Sequence, residues 1–290
     1  MEMAVVFMTA FIYNKGTVLK KDNNINKLAK LKKIISGLDT AIVAYSGGTD
    51  SSLLLKVASE MMGDRVIAVT AVSPTYPGND FIRAREITKE FGVKHLLIKT
   101  NEMADSKFTD NKPDRCYLCK SHFYKLLSRM AEKMKIGYLL AGNNKDDLND
   151  YRPGMKAARE FGVRSPLMEA GLTKKDVRRI SASYGLSTAG TPSSPCLASR
   201  LPYGQKITEK ALSMVDRSES YLRAFGIKEL RVRHYDHTAK IEVGKADVNK
   251  ILKKSKKIVK MFRNIGYHYV CLDLDGFMSG NMNRVLKGTR

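Results

Sequence analysis

Cysteine is scarce in this sequence, and the scarcity limits what it can do. Four cysteines among 290 residues are too few for a disulfide framework. Two of them, Cys116 and Cys119, are separated by two residues, a spacing found in redox disulfides and in metal sites. We therefore expect a reducing, cytoplasmic setting in which thiols serve metal or redox chemistry.

Long hydrophobic runs are also missing. The apolar start of the chain, MEMAVVFMTAFIY, is too short to span a bilayer and lacks both a basic segment and a small-residue cleavage site. No membrane segment, secretory signal, internal repeat or low-complexity tract is therefore predicted. We treat residues 1–20 as an N-terminal extension docked on the main domain, and we assign no function to them.

Acidic residues are outnumbered by basic ones. Against 29 Asp and Glu residues stand 51 Lys and Arg residues, which gives a formal net charge of +22. Such an excess favours anionic partners such as nucleotides, phosphorylated metabolites or RNA. Lysines are dense in residues 250–260, where the pattern indicates an amphipathic helix whose basic face is either solvated or a surface for RNA.

Short apolar segments alternate with amphipathic ones through the first half of the chain. Strands are predicted at residues 41–45, 65–72, 94–99 and 137–141, with helices between them. Alternation at this spacing predicts an α/β fold, in which helices flank a parallel sheet and ligands bind beyond the carboxyl ends of the strands. At that edge the pattern places Ser46, Thr70, Ser73 and Gly142.

From residue 207 the pattern changes to helix, two strands, helix and strand, which predicts a second, smaller α+β domain. Just before it, residues 187–203 (STAGTPSSPCLASRLPY) are too rich in proline and serine for regular structure, and long ordered loops of this kind usually carry function. We therefore expect a main domain with cysteine loops at residues 21–204, and a substrate or oligomerisation domain at residues 205–290.

A glycine turn at residues 46–51, SGGTDS, is the most informative segment. It lies between a predicted strand and a predicted helix, so its backbone N–H groups would point outward at the positive end of the helix, where phosphate binds. The spacing matches neither a Walker A loop nor a Rossmann fingerprint. A purely structural Gly-Gly turn is the alternative.

Three cysteines form a candidate metal site. Cys116 and Cys119 lie in PDRCYLCK, and Cys196 lies in SSPCLASR. Three thiolates would leave one position of a bound metal open for substrate or for an extra sulfide. The alternative is that Cys116 and Cys119 are buried as small apolar residues. The fourth cysteine, Cys271, alternates with apolar neighbours in a predicted strand, and we expect it in the core.

Two arginines form a candidate phosphate site. Arg231 and Arg233 are two residues apart in a predicted strand, so both side chains leave the same face. Paired guanidinium groups suit a phosphate. Arg200 could join them from the loop at residues 187–203, which contains Cys196 and is called the cysteine loop below. Arginines on a half-exposed strand would produce the same pattern. His234, on the opposite face, is expected to pack in the core rather than to act as a base.

Together these segments resemble the LarE family, the ATP-dependent sulfur transferases of nickel-pincer-nucleotide biosynthesis within the PP-loop superfamily. The resemblance covers residues 28–284 and is most specific in PSSPCLASRLPYG. It is also carried by VAYSGGTDSSLLLKVA, PDRCYLCK, GVRSPLMEAGLTKKDVRRI, RVRHY and LDLDGFMSGNMNR. It implies the PP-loop, or adenine nucleotide alpha hydrolase-like, fold and an enzyme that forms AMP and pyrophosphate from ATP.

The resemblance also implies a substrate and a nucleotide site. A carboxylate of pyridinium-3,5-biscarboxylic acid mononucleotide would be adenylated, and sulfur would then displace AMP to give the thiocarboxylate. Asp50 would lie beside Mg²⁺ on the triphosphate, and the phosphate of the mononucleotide would meet Arg200, Arg231 and Arg233. ATP would contact the glycine turn and the neighbouring strand ends, at Ala44, Ser46, Gly47, Gly48, Thr49, Asp50, Ser51, Thr70, Ser73 and Gly142.

The resemblance leaves two sulfur routes open. In one, the cysteine matching Cys196 surrenders its own sulfur and becomes dehydroalanine. In the other, three cysteines, here Cys116, Cys119 and Cys196, hold a 4Fe-4S cluster whose open iron carries a transferable sulfide. Because all three are present, we expect the cluster route, supplied by sulfide or by a cysteine desulfurase.

A homo-oligomer is a further implication of the resemblance. The competing interpretation is a PP-loop tRNA thiolase, which can also use three cysteines and which the net charge would suit. The sequence contains no recognised RNA-binding module, and its basic residues are dispersed rather than interleaved with aromatic ones. Nucleic acid is therefore not the expected substrate.

Overall fold

The computed structural model describes residues 15–149, 153–192, 194–278 and 280–284. The larger of its two sheets contains strands β1 (Ala41–Ala44), β2 (Val66–Val72), β3 (His95–Lys99) and β4 (Tyr138–Ala141). These strands are all parallel and lie in the order β3-β2-β1-β4. The predicted parallel α/β sheet is therefore confirmed, and the carboxyl ends of its strands share one edge.

Helices connect these strands and flank the sheet, as the alternating pattern predicts. Two of them, at residues 106–109 and 166–169, are single turns. In chain order the helices are α1 (Lys15–Ser36), α2 (Thr49–Met62), α3 (Gly78–Glu90), α4 (Ser106–Thr109), α5 (Arg115–Met134), α6 (Pro153–Glu160), α7 (Pro166–Glu169) and α8 (Lys174–Ser183).

Apolar side chains fill both faces of the sheet. Val43 of β1 packs with Leu31 of α1 and Leu54 of α2 on one face. Ile42, the preceding residue of the strand, packs with Leu127 of α5 on the other face. Because successive side chains alternate and both faces are covered, the strands are almost wholly apolar. Polar groups are therefore concentrated where the strands end.

A second, smaller α+β unit follows. It contains α9 (Glu209–Arg223), β5 (Leu230–Tyr235), β6 (Thr238–Val243), α10 (Val248–Lys253), α11 (Ser255–Ile265) and β7 (Tyr269–Leu272). Strands β5 and β6 are antiparallel, whereas β6 and β7 are parallel. The unit has its own apolar core, formed by residues such as Val232, Ile241 and Phe262. This agrees with the predicted fold class.

Helix α5 begins earlier than the sequence pattern indicates. The sequence pattern predicts a helix over residues 121–134, but the helix begins at Arg115, directly after the N-cap residue Asp114. Pro113 lies just outside the helix, where proline does not interrupt its hydrogen bonds. Cys116 and Cys119 therefore lie in the first turns of a helix, three residues apart and on neighbouring positions of its surface.

Cys271 is exposed, so its assignment to the core is wrong. It lies in the edge strand β7, where Tyr269 and Cys271 face outward while the intervening Val270 packs on the core.

Helix α1 begins at Lys15, within the segment 1–20 expected to be an extension, and residues 1–14 lie outside the described residues.

Within the described ranges, no helix combines the length and the apolar character needed to cross a bilayer.

Candidate functional site

The glycine turn lies at the carboxyl edge of the larger sheet, between β1 and α2. Gly47 has a φ of 64°, and a Cβ there would stand 3.0 Å from the Cβ of Ala84, so this position requires glycine. Gly48 is the N-cap of α2 and no side chain caps the helix. The first amides of α2 are thus open to an anion at the positive end of the helix.

The acidic residue of the turn is held by two partners from other parts of the chain. Asp50 forms an ion pair through Oδ2 with Nζ of Lys174, and its Oδ1 accepts a hydrogen bond of 3.3 Å from Nδ2 of Asn144. Lys174 is the first residue of α8, and a capping box between Thr173 and Asp176 holds the start of that helix. A lysine beside the acidic group of a phosphate site is therefore part of the site.

Sequence reasoning did not identify Lys174 as a site residue. Thr173 followed three residues later by Asp176 predicts a capped helix start at this position, and the observed capping box confirms it. The pattern did not reveal that this helix begins opposite Asp50, because the two residues are 124 positions apart.

The other predicted nucleotide contacts differ in accessibility. A Cβ on Gly142 would be 2.8 Å from the nitrogen of Ser51, so the end of β4 packs tightly against the start of α2. Ser46 contacts Ser51 through their hydroxyl groups at 3.1 Å. Thr70, by contrast, is buried and donates a hydrogen bond of 2.9 Å to the backbone oxygen of Tyr45. Through this hydrogen bond Thr70 stabilises the end of β1.

The cysteine loop is fastened to the same edge of the sheet. The amide of Leu197, the residue after Cys196, donates a hydrogen bond of 2.8 Å to the backbone oxygen of Thr75. The next residue, Tyr76, donates its hydroxyl to the backbone oxygen of Ser46 at 2.8 Å. The adjacent residues Thr75 and Tyr76 thus contact the cysteine loop and the glycine turn respectively, which brings these two predicted sites together.

Cys119 and Cys196 share one packing environment. Both pack against an apolar cluster that includes Phe108, Leu197 and Ala198. Cys116 is exposed and lies about one turn before Cys119 on α5. Burial raises the pKa of the Cys119 thiol to about 12, and the nearby Cys196 and Glu102 add to the shift. The thiol of Cys119 is therefore protonated at neutral pH in this state.

The cysteine thiols offer the chemistry that an iron-sulfur cluster requires, but in this structure they are not positioned as ligands of one metal centre. Thiols are the ligands that such clusters take, and Cys119 and Cys196 share one neighbourhood with Cys116 nearby on the same helix. However, no group of three or more His, Cys, Asp or Glu side chains in the described ranges is arranged to hold a metal ion. Ligation would require a shift of these side chains and release of the thiol protons.

The predicted phosphate arginines are buried. Arg200 is fully buried and forms a two-pronged ion pair with Glu219, at 2.9 Å for both contacts. Its Nη1 also donates to the backbone oxygens of Pro195 and Cys196, at 2.6 and 3.1 Å. Arg200 therefore joins the cysteine loop to α9, and a phosphate could reach its guanidinium only if these contacts were exchanged.

Arg233 and Arg231 lie on the same face of β5, as predicted, but this face is covered. Arg233 forms an ion pair of 2.8 Å with Glu242 and donates to the backbone oxygen of Ser199 at 2.9 Å. Arg231 lies over the ring of Phe277, and burial followed by the positive charge of Arg200 lowers its pKa to about 10. A bound anion would offset this repulsion between guanidinium groups.

His234 lies on the other face of β5, where it is buried and its Nδ1 is 3.1 Å from the hydroxyl of Tyr267. Burial lowers its pKa. This agrees with the expectation of a packed histidine.

The fold and the site define a class of protein. A parallel sheet whose first strand leads through a glycine turn into a helix, with an acidic residue at the helix start, is the arrangement of a PP-loop ATPase. The family model described as asparagine synthase matches residues 42–190, about half of the chain. The PP-loop assignment is thereby confirmed.

Comparison with individual proteins narrows this class. An uncharacterized protein of Synechocystis is 42% identical over 263 residues, which are 90% of this chain and 98% of that protein. A pyridinium-3,5-bisthiocarboxylic acid mononucleotide synthase of Lactiplantibacillus plantarum is 36% identical over 261 residues, 90% of this chain and 95% of the synthase. A tRNA-specific 2-thiouridylase MnmA of Rickettsia felis is 25% identical over 191 residues, 53% of this chain and 52% of the thiouridylase.

The chain belongs to the LarE family. It is an ATP-dependent sulfurtransferase that works with Mg²⁺ and a small-molecule nucleotide substrate.

Proposed function

We propose that this enzyme adenylates a carboxylate of pyridinium-3,5-biscarboxylic acid mononucleotide and replaces one of its oxygens with sulfur. The observation that carries the proposal is the attachment of the cysteine loop and the glycine turn to two adjacent residues, Thr75 and Tyr76. A nucleotide-activated acid and a sulfur donor can therefore meet at one edge of the sheet. The similarity to the Lactiplantibacillus plantarum synthase over 90% of this chain supports the choice of substrate.

Activation begins with ATP at the glycine turn. The substrate carboxylate attacks the α-phosphorus, the bond to the bridging oxygen breaks, and pyrophosphate leaves. The open amides of α2 would stabilise the phosphate charge, and Mg²⁺ held by Asp50 would neutralise part of it. With Mg²⁺ at Asp50, the ammonium group of Lys174 would be available to the departing pyrophosphate.

Sulfur transfer follows at the adenylated carbonyl carbon. Sulfur attacks this carbon, the bond to the AMP oxygen breaks, and the thiocarboxylate remains. We favour a 4Fe-4S cluster held by Cys116, Cys119 and Cys196, which would supply the transferable sulfur when bound. The alternative is Cys196 alone, whose Cβ–Sγ bond would break to leave dehydroalanine.

The remaining assignments complete the proposal. Arg231 and Arg233 would bind the substrate phosphate, and Arg200 would support the cysteine loop behind it. We propose a boundary between residues 204 and 205, with the smaller unit contributing these two arginines and contacts between copies of the chain. Sulfide or a cysteine desulfurase would restore the sulfur.

One experiment tests the reaction and its sulfur route. The purified protein is incubated without oxygen with MgATP, sulfide and the biscarboxylate mononucleotide. The masses of the products and of the polypeptide are then measured by mass spectrometry. AMP, pyrophosphate and a thiocarboxylate are expected, with an intact polypeptide. Loss of one sulfur from the protein would indicate the sacrificial route, and failure to form AMP, together with tight, salt-sensitive tRNA binding, would indicate a thiolase.

A further inference from the structure

Two backbone carbonyl groups of the glycine turn accept hydrogen bonds from side chains that lie outside the turn. The hydroxyl of Tyr76 donates to the backbone oxygen of Ser46 at 2.8 Å, and Nε of Arg83 donates to the backbone oxygen of Gly47 at 3.1 Å. Tyr76 lies between β2 and α3, and Arg83 lies in α3, so both donors belong to the segment of the chain that follows β2. Two consecutive peptide groups of the turn are therefore restrained on one side.

Both donors are themselves fixed. The ring of Tyr76 meets the ring of Phe81 edge-on, with centroids 6.5 Å apart. Burial raises the pKa of Tyr76 far above its usual value, so its hydroxyl keeps the proton that it donates. Nη2 of Arg83 forms an ion pair of 2.6 Å with the carboxylate of Asp80, and Asp80 is buried. Each donor therefore has little freedom to leave its carbonyl.

The direction of a carbonyl fixes the direction of the amide in the same peptide group. In a trans peptide the C=O and N–H bonds point in opposite directions, so an oxygen held outward turns the following N–H inward. The two amides concerned are those of Gly47 and Gly48, and within the described ranges neither donates a hydrogen bond to the protein. They are thus available to an anion.

Glycine makes this restraint necessary. Because Gly47 and Gly48 lack side chains, their peptide groups can rotate at little cost, and Gly47 already occupies the left-handed region. A rotated peptide would direct a carbonyl oxygen toward the phosphates and repel them. We propose that Tyr76 and Arg83 are positioning residues that hold the glycine turn in its anion-binding orientation before ATP arrives. This inference rests on the proposed ATP site.

Three single substitutions test the role. Tyr76→Phe keeps the ring but removes the hydroxyl, and Arg83→Met keeps the length of the side chain but removes its donors. Lys89→Met is the matched control, because Lys89 is an exposed cation in the same helix. The dissociation constant of MgATP is measured by calorimetry, and KM and kcat are measured by ATP–pyrophosphate exchange.

Tyr76→Phe should weaken MgATP binding about threefold to tenfold, and Arg83→Met about tenfold or more, since the lost hydrogen bonds are neutral and charged respectively. The KM for ATP should rise while kcat at saturating ATP changes little. Arg83→Lys, which retains a donor, should recover part of the affinity. AMP, which lacks the β- and γ-phosphates, should bind with nearly unchanged affinity.

The outcomes separate this inference from the proposed function. If the wild-type protein binds MgATP but Tyr76→Phe and Arg83→Met bind it equally well, the positioning role is wrong. An equal loss of AMP and ATP affinity would indicate a general structural defect and would also overturn it. If the wild-type protein does not bind MgATP, the proposed ATP site itself is wrong.

Discussion

Lys174 and Asp50 form an ion pair at the N-terminal end of α2, although 124 positions separate them in the chain. The pair joins the start of α8 to the acidic residue of the glycine turn. If Asp50 binds Mg²⁺ as proposed, the ammonium group of Lys174 has two partners in turn, the carboxylate of Asp50 before the metal binds and a phosphate of ATP afterwards. This relationship leads to the first prediction.

Lys174→Met should slow ATP–pyrophosphate exchange about 100-fold in kcat, because a donor to the departing phosphate is lost. The ion pair is partly exposed, with 30% of the Lys174 side chain accessible, so stability should change by about 1 kcal/mol or less. Lys175→Met, at the adjacent exposed position, is the control. Asp50→Ala should abolish exchange without unfolding the protein, and unchanged exchange in Lys174→Met would contradict the role.

Gly142→Ala should damage the nucleotide site through packing. The added methyl group would stand 2.8 Å from the nitrogen of Ser51 and 2.9 Å from its Cα, so the start of α2 must shift. We expect a loss of about 1–3 kcal/mol in the free energy of unfolding and weaker MgATP binding. Gly37→Ala meets ordinary contacts and should alter neither quantity. Wild-type affinity in Gly142→Ala would show that β4 does not constrain the turn.

Glu219→Gln should destabilise the protein, because it leaves the fully buried guanidinium of Arg200 without its counter-charge. A decrease of about 3–5 kcal/mol in the free energy of unfolding is expected from denaturant titration. Glu229→Gln, an exposed position in the same unit, should have little effect. A small effect at Glu219 would mean that the Arg200 contacts are not structural.

The same pair predicts a pH dependence. Burial opposes ionisation of Glu219, but the charge and hydrogen bonds of Arg200 hold its pKa below the usual value. A lowered folded-state pKa contributes stability that is complete above the ordinary carboxyl pKa and is lost as pH falls through the folded value. The stability difference between the wild type and Glu219→Gln should therefore shrink in acid.

Cys119→Ser should remove the brown colour expected of protein purified and loaded with iron and sulfide under anaerobic conditions, while MgATP binding is retained. Cys271→Ser is the control, because Cys271 is exposed on the edge strand of the smaller sheet and should not affect the absorbance. If Cys116→Ser and Cys119→Ser both keep the visible spectrum, the cluster assignment is wrong.

Arg231→Ala should weaken binding of the pyridinium mononucleotide about tenfold to 100-fold, since a charged hydrogen bond to its phosphate would be lost. MgATP should bind as before, because Arg231 lies on β5 of the smaller unit, whereas the glycine turn follows β1 of the larger sheet. Arg231→Lys keeps the charge but not the planar donor geometry and should recover only part of the affinity. Unchanged mononucleotide affinity in Arg231→Ala would exclude this phosphate site.

The local features of the fold could be predicted from neighbouring residues. Strand β1, the glycine turn and the start of α2 follow from an apolar run, two glycines and a leucine-rich helical pattern within 15 residues. The smaller unit was recognised in the same way, from alternation along β5. The exposure of Cys271 does not follow from the local pattern, because it depends on the edge position of β7 in its sheet. The start of α5 at Arg115 also differs from the local pattern, and no side-chain cap at Asp114 explains it.

The sequence alone therefore determined the kind of sheet and the glycine turn, since both depend on short-range periodicity and backbone freedom. Only the tertiary structure decided which side chains complete the site. Lys174 meets Asp50, Tyr76 meets Ser46, and Arg200 meets Glu219, and in each case packing of separate elements brings the partners together. Spacing along the chain carries no information on such contacts, because they depend on how helices and loops pack around the sheet.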